Sequence, residues 1–284
     1  MPKEVRRSFF AIRAFNCEIA QIRDQSRHNF MTGRIRFQFW RDCLDKIYGM
    51  VNSNDGESIN YTTAEISDHP VMQELVQCVG KHSLTRRFFE RSIEARISDF
   101  SETSYESLSD LERYAELSQS SLLYLVLECL GLRGTDNKTA YAASHVGCCY
   151  GIVTLLRGFS YHLSHGVVYL PESAVQQHNV NLKNLMGRRI TDLSDGDLHA
   201  LSAAIFEVAS LAQGHLEEAR KIIANGELEK AAIYALLPGV RSNIFLQTLQ
   251  RENFNILAEN FVSPNNDQLK YQLYLLRAVW FEKV

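Results

Sequence analysis

Apolar residues recur every three or four positions along most of the chain, a pattern that predicts helix almost throughout. The clearest stripe runs Leu198, Leu201, Ile205, Val208, Leu211, Ala212, Leu216, Ala219, Ile222 and Ile223, and it alternates with Glu207, Glu217, Glu218 and Lys221. One face of such a helix is turned to a core and the other to water. The same spacing predicts helices over Arg7 to Asp24, Gly33 to Gly49, Val71 to Lys81, Leu84 to Ile97, Ser107 to Gly131 and Tyr141 to Gly158. Shorter ones are expected near Leu228 to Leu236, Ile244 to Glu252 and Leu269 to Phe281. Strand-type alternation is almost absent. Breaks are expected where Gly, Pro and short polar residues gather: Asn52 to Asn60, Gly131 to Lys138, Ser164 to Pro171, Pro238-Gly239 and Ser263 to Asn266. Each is short enough to be a loop within one bundle, and no repeat, low-complexity tract or long charge run marks a linker. The expectation is an all-α single domain spanning residues 1–284.

Composition supports one large core. A chain of 284 residues that is 45% hydrophobic buries roughly three quarters of the surface its unfolded form exposes. The 30 basic and 33 acidic residues give a net charge of −3, so there is no global basic field, and nucleic acid is excluded as an expected partner. Six cysteines (Cys17, Cys43, Cys78, Cys129, Cys148, Cys149) form no C-x-x-C pair and sit mostly in apolar helical stretches. They read as reduced, buried thiols rather than a zinc site or disulfide framework. The longest strongly apolar run, Leu122 to Leu132, is interrupted by Glu128 and falls short of the about 20 residues of a spanning helix, so an integral membrane protein is not expected. Met1 to Arg7 leads straight into a patterned helix, without a signal peptide's apolar core or an arginine-rich presequence.

Several segments in fixed order carry a resemblance. Pro2 to Arg7 followed by Ala11-Ile12-Arg13-Ala14-Phe15-Asn16 is similar to a P-x-x-x-R then A-x-x-A-F-C pattern. Phe39-Trp40-Arg41-Asp42-Cys43-Leu44-Asp45-Lys46-Ile47-Tyr48-Gly49, with His69-Pro70-Val71 downstream, is similar to W-R-x-x-L-D-x-I-Y-x-G and H-P-V. Tyr114 to Leu125 and Gly166 to Pro171 complete the set. Together they resemble the squalene/phytoene synthase superfamily over close to the whole chain, which implies an isoprenoid-synthase-like helical bundle.

Those enzymes hold magnesium with two aspartate-rich segments, and here the resemblance implies that most ligands are absent. The family's D-D-x-x-D aligns with Ala20-Gln21-Ile22-Arg23-Asp24, which keeps one acid. Its L-R-D-x-x-x-D aligns with Leu156-Arg157-Gly158-Phe159-Ser160-Tyr161-His162, which keeps neither. Magnesium demands oxygen donors in near-octahedral array, and carboxylates four apart on a helix supply them from one face. A single carboxylate with Arg23 competing for it cannot, so no catalytic, cofactor-binding or metal-ligating residue is expected and diphosphate ionisation should fail. Arg157 suits an oxyanion by its planar fork, though a structural salt bridge is the heavier expectation.

Other candidates carry less. His162 and His165, three apart, would need His145 or Asp24 to complete a transition-metal site, and an ordinary surface pair is the preferred reading. Trp40 with Phe37 and Phe39 reads as core packing rather than a ligand platform. Ser120-Ser121 has no partner histidine at a recognisable spacing. Cys148-Cys149 point to different sides of a helix and read as packing, not a redox pair.

Ala14 to Asp24, Gln119 to Leu125, Ala142 to Gly147 and Gly151 to Thr154 resemble a non-synthase branch of the superfamily, the assembly factors of mitochondrial respiratory complex I. That likeness implies a non-catalytic scaffold or chaperone, peripheral on the matrix side of the inner membrane. Its partners would be complex I subunits or other assembly factors, and its central cavity either holds an apolar lipid or is filled. The rival expectations are a prenyl-diphosphate-using transferase with an altered metal site and a lipid or quinone carrier. The resemblance also implies a further helix and a presequence before Pro2, so the chain reads as an isoform or an incomplete gene model.

Overall fold

The computed structural model describes residues 1–27, 29–53, 69–101, 104–132, 137–187, 193–225, 228–262, 268–281 and 284, with backbone alone at 52, 53, 137, 187, 262, 268–270 and 281. Its described residues contain helices and no strand, so the all-α expectation holds. The chain divides into two compact units, residues 1–101 with 121–137, and 102–120 with 138–284.

The N-terminal unit packs α1 (Lys3–Gln25), α2 (Phe30–Ser53), α3 (Pro70–His82), α4 (Arg86–Ser101) and α6 (Ser121–Cys129). In α1 the buried positions Val5, Ser8, Ile12, Phe15, Ile19 and Ile22 fall at helical spacing, with Glu4 in the first turn and Arg23 in the last opposing the helix dipole. Phe15 is fully buried and meets Trp40 and Phe89 edge-on at 5.3 and 5.2 Å. Trp40 in turn meets His69, the residue before Pro70, at 5.1 Å. Proline suits the first turn of α3 because its missing N–H would have no intrahelical partner there. Three of the sequence anchors therefore meet in one aromatic core. Phe37 and Trp40 pack as expected, whereas Phe39 lies 38% exposed at the core's edge. Glu128, which interrupts the apolar run, is buried and accepts from Thr85 N at 2.7 Å and from its hydroxyl.

The C-terminal unit contains α5 (Leu108–Ala115), a π turn at Glu116–Ser120, α7 (Asn137–Arg157), α8 (Phe159–Ser164), α9 (Glu172–Gln177), α10 (Leu182–Gly187), α11 (Asp195–Ala224), α12 (Ile233–Leu236), α13 (Pro238–Arg251), α14 (Glu259–Val262) and α15 (Gln268–Phe281). Capping boxes at Ser107 with Asp110 and Ser194 with Asp197 start α5 and α11 by satisfying orphan N–H groups. The α11 stripe buries as expected, Leu201, Ile205, Val208, Ala212, Leu216 and Ala219 all facing inward. On α7, Gly147 and Gly151 face Ser120 and Ala115 so closely that no side chain fits between.

Four sequence expectations need correction. The segment Ser107 to Gly131 is not one α-helix, because the π turn inserts an extra residue at Glu116–Ser120 that a 3.6-residue period cannot register. The break expected at Pro238-Gly239 falls one residue earlier, at Leu237 between α12 and α13, and α13 opens with Pro238 at its first position rather than near Ile244. The break expected from Asn52 begins inside α2; the rest of it, and Ser263 to Asn266, fall outside the described residues. Among the cysteines, Cys17 is exposed, while the other five are buried. One described helix, Lys138–Arg157, is long and apolar enough to cross a membrane by length and composition, yet 67% of that window is buried in the fold.

Two outcomes follow from this packing. A Cβ at Gly147 would lie 2.5 Å from Ser120 Cα and 2.7 Å from its N, so Gly147→Ala should lower unfolding free energy by about 1–3 kcal/mol in a denaturant titration. Burial pushes the thiols of Cys43 up to about 11 and of Cys129 and Cys149 up to about 12, and raises Cys78 and Cys148 too. Since the thiolate is the nucleophile, native protein treated with a disulfide reagent should show one fast thiol, lost in Cys17→Ser, with the remainder reacting only on denaturation.

Candidate functional site

The last turn of α1 is held by arginines. Arg23 Nη1 contacts Asp99 Oδ1 at 2.8 Å and donates to its backbone carbonyl at 2.7 Å, with Asp99 almost fully buried. Asp24 is exposed and pairs with Arg27 at 2.6 Å. The competitor for the one remaining acid of this segment is therefore Arg27, not Arg23 as expected, because Arg23 turns away to α4. Asp99 carried no sequence signal: it is a single acid at the end of an ordinary amphipathic helix.

In the C-terminal unit, α7 ends at Arg157 and α8 begins after Gly158. A Cβ at Gly158 would lie 2.6 Å from His162 Nε2 and 2.9 Å from its Cδ2, so the imidazole covers the face where a side chain at 158 would start. That ring packs edge-on against Tyr169 at 4.7 Å and Tyr161 at 5.4 Å. His165 instead turns its Nδ1 to Tyr161 O at 2.7 Å. Tyr169 itself packs on Tyr105, while Glu172 N donates to Tyr105 O at 2.8 Å, which fixes the Gly166 to Pro171 segment.

Among the described residues Arg157 forms no salt bridge, contrary to expectation. No acid pairs with it among the described residues; its charged neighbour is Arg241, on α13, with Tyr150 and Tyr271 alongside. Burial, then Arg241, lowers its pKa, and Arg241 lies over the Tyr271 ring at 5.6 Å. Two guanidiniums without a facing carboxylate make a locally electropositive spot that favours an oxyanion.

His145 meets neither His162 nor His165. Its Nδ1 lies 2.9 Å from His215 Nδ1 on α11, and His215 Nε2 lies 3.3 Å from Glu112 on α5. Of the two facing Nδ1 atoms one donates and the other accepts. Beside this pair Ser144 Oγ donates to Glu116 at 2.7 Å, Ser120 Oγ donates to Ser144 O at 3.0 Å, and Cys148 lies 3.5 Å from Glu116. Ser120 is thus a bridging donor within the helix pair. Seventy residues separate the two histidines, so no motif spacing could have joined them. Among the described residues no three His, Cys, Asp or Glu side chains are placed to hold a metal ion.

The sequence model of the squalene/phytoene synthase family matches residues 1–270. The chain belongs to that family. Its relatives include proteins named NADH dehydrogenase (ubiquinone) complex I, assembly factor 6: the Homo sapiens protein is 34% identical over 97% of this chain and 74% of its own length. The Drosophila melanogaster homolog is 32% identical over 89% of this chain and 70% of its own. Among solved structures, squalene synthase HpnC from Alicyclobacillus acidocaldarius has a TM-score of 0.70 at 19% identity, covering 90% of this chain and 86% of that one. A dehydrosqualene synthase in complex with ligand gives 0.72 at 16% identity, covering 99% and 88%. At these identities the two structures speak for the fold alone.

The histidine pair gives a pH signature. Burial is the largest influence on His215 and lowers its pKa, with His145 adding to the effect and Glu112 opposing it. The fold therefore prefers the neutral ring, and the stability this gives is present above the unfolded value near 6.5 and lost as pH falls below it. Thermal unfolding of wild type and His215→Gln between pH 7.5 and 5 should show the smaller acid-side loss in the variant; equal losses would remove the pair from the pH dependence.

Proposed function

We propose that this protein is a non-catalytic assembly factor for mitochondrial respiratory complex I, a prenyl-synthase fold used as scaffold or chaperone. The observation that carries this is the 34% identity to the Homo sapiens assembly factor over 97% of the chain. The site supports it: of the acids magnesium would need, Asp24 remains, and it is bonded to Arg27, while Gly158 and His162 offer no carboxylate. The protein acts in mitochondria, peripherally on the matrix side of the inner membrane, with complex I subunits or other assembly factors as partners. Residues 1–284 work as one domain of the family, in keeping with the match over residues 1–270.

A second reading rests on the Arg157 and Arg241 pair, which keeps an electropositive spot suited to a phosphate: a prenyl-diphosphate-handling protein or an apolar lipid carrier. Calorimetry with a nonhydrolysable prenyl diphosphate separates this reading from the scaffold. Tight binding that requires magnesium favours the enzyme, tight metal-independent binding lost in Arg157→Ala favours a carrier of that ligand, and absent binding fits the scaffold.

The direct test is rescue. Expression of this chain, directed to mitochondria, in Drosophila cells lacking their homolog should restore assembled complex I on a native gel, and Asp24→Ala should rescue equally. Farnesyl or geranylgeranyl diphosphate incubated with the protein and magnesium should remain unconsumed. Turnover abolished by Asp24→Ala would overturn the proposal.

A further inference from the structure

Within the C-terminal unit, α11 and α13 leave an open groove between them. Its volume is about 450 Å³, and its wall includes Phe206, Gly214, Asn243, Gln247, Gln250 and Phe254. On α13, Asn243, Gln247 and Gln250 stand at i, i+4 and i+7, so their carboxamides form a ladder along one face. No hydrogen bond from the described residues reaches any of these three side chains. Asn243 is half-buried, and the two glutamines are exposed.

Across the groove, Gly214 lies well inside the 30-residue helix α11. Glycine weakens a helix interior. At Gly147 and Gly151 close packing offsets this, but among the described residues nothing lies within 4 Å of where a Cβ at Gly214 would be. Packing inside the molecule therefore does not account for this glycine. At the groove's end Phe254 holds φ 60°, rare for a bulky residue, with its N–H on Leu249 O at 2.8 Å. Its ring meets that of Phe206, 4.8 Å away and 53% exposed.

A carboxamide donates and accepts at once, so a ladder of them is matched by a ligand that does both in repeat. The main chain of an extended peptide is such a ligand. Its free N–H and C=O groups recur along one edge about every 7 Å, close to the rise of about 6 Å from Asn243 to Gln247. A partner helix has those groups bonded internally and would leave the carboxamides unmet. Acyl chains of a lipid would strip them of water and return no hydrogen bond. A peptide backbone also gives Gly214 a reason, because main chain approaches closest where no side chain stands. Phe206 and Phe254 then offer a seat to one apolar side chain.

We propose that the groove between α11 and α13 binds an extended segment of a partner polypeptide by its main chain. Asn243, Gln247 and Gln250 bond its peptide groups, and Phe206 with Phe254 takes one apolar side chain. The proposal goes beyond the assembly role above and stands without it.

The probe is a phage-displayed random dodecapeptide library selected on purified full chain, followed by the enriched peptides made synthetically. These should share an aliphatic or aromatic residue at one position. Combining Gln247→Ala with Gln250→Ala should weaken their affinity, read by fluorescence anisotropy, by about tenfold or more. N-methylation of the peptide, one amide at a time, should weaken binding at alternate residues, those on the edge facing the ladder. Gly214→Leu should abolish binding while the thermal midpoint holds or rises, since leucine favours helix and the position is open. Circular dichroism checks that each variant stays folded. A library that enriches nothing above an uncoated support, binding that survives Gly214→Leu, or an N-methyl scan without alternation overturns the proposal. So does a peptide that binds as a helix, or self-association in analytical ultracentrifugation that Gly214→Leu abolishes, which would assign the groove to a second copy. Peptide binding is read on purified protein without complex I, so its failure and a failed rescue are independent results.

Discussion

Two helices touch backbone to backbone only where neither sends a side chain into the gap, and the C-terminal unit depends on that at Gly147 and Gly151. Their bare faces receive Ser120 and Ala115. The close approach brings the Ser120 hydroxyl onto the Ser144 carbonyl and Ser144 onto Glu116. It also buries Cys148 beside that carboxylate. The next residue along α7 from Ser144 is His145, whose ring reaches His215 on α11. The members of such a polar chain are coupled through one another, and the small residues set their spacing.

Charge is handled differently in the two units. In the N-terminal unit the acids near the end of α1 are matched to arginines, Asp99 to Arg23 and Asp24 to Arg27. In the C-terminal unit Arg157 and Arg241 stand together with tyrosines and no acid partner among the described residues. Arginine pairing consumes the first segment's remaining oxygen donor for a hard cation, while the second segment retains the affinity of guanidinium for oxyanions. Arg157 and Arg241 together thus present guanidinium groups suited to an oxyanion.

Much of this was legible in the sequence. Strong 3.6-residue periodicity placed α1, α3, α4 and α11, because each buries one face. The resemblance anchors were legible as words, and the structure gives them a physical reason: Phe15, Trp40 and His69 are one aromatic contact chain. The π turn was hidden because it changes the period for five residues only. The short helices α8, α9, α10 and α14 span four to six residues each, too few for a period to declare itself. Contacts such as Arg23 with Asp99, or His145 with His215, join residues distant in sequence that have no local pattern in common. Pro238 marked the boundary between α12 and α13 to within one residue, because proline breaks a helix from its interior yet opens one from its first position.

The imidazole of His162 lies over Gly158. Any side chain placed at 158 must first move that ring. An aspartate at 158 would first have to displace a ring wedged between Tyr161 and Tyr169, and an aspartate at 162 alone would stand four residues from a glycine. A side chain at position 158 is therefore coupled to the rotamer of a histidine one helical turn further on.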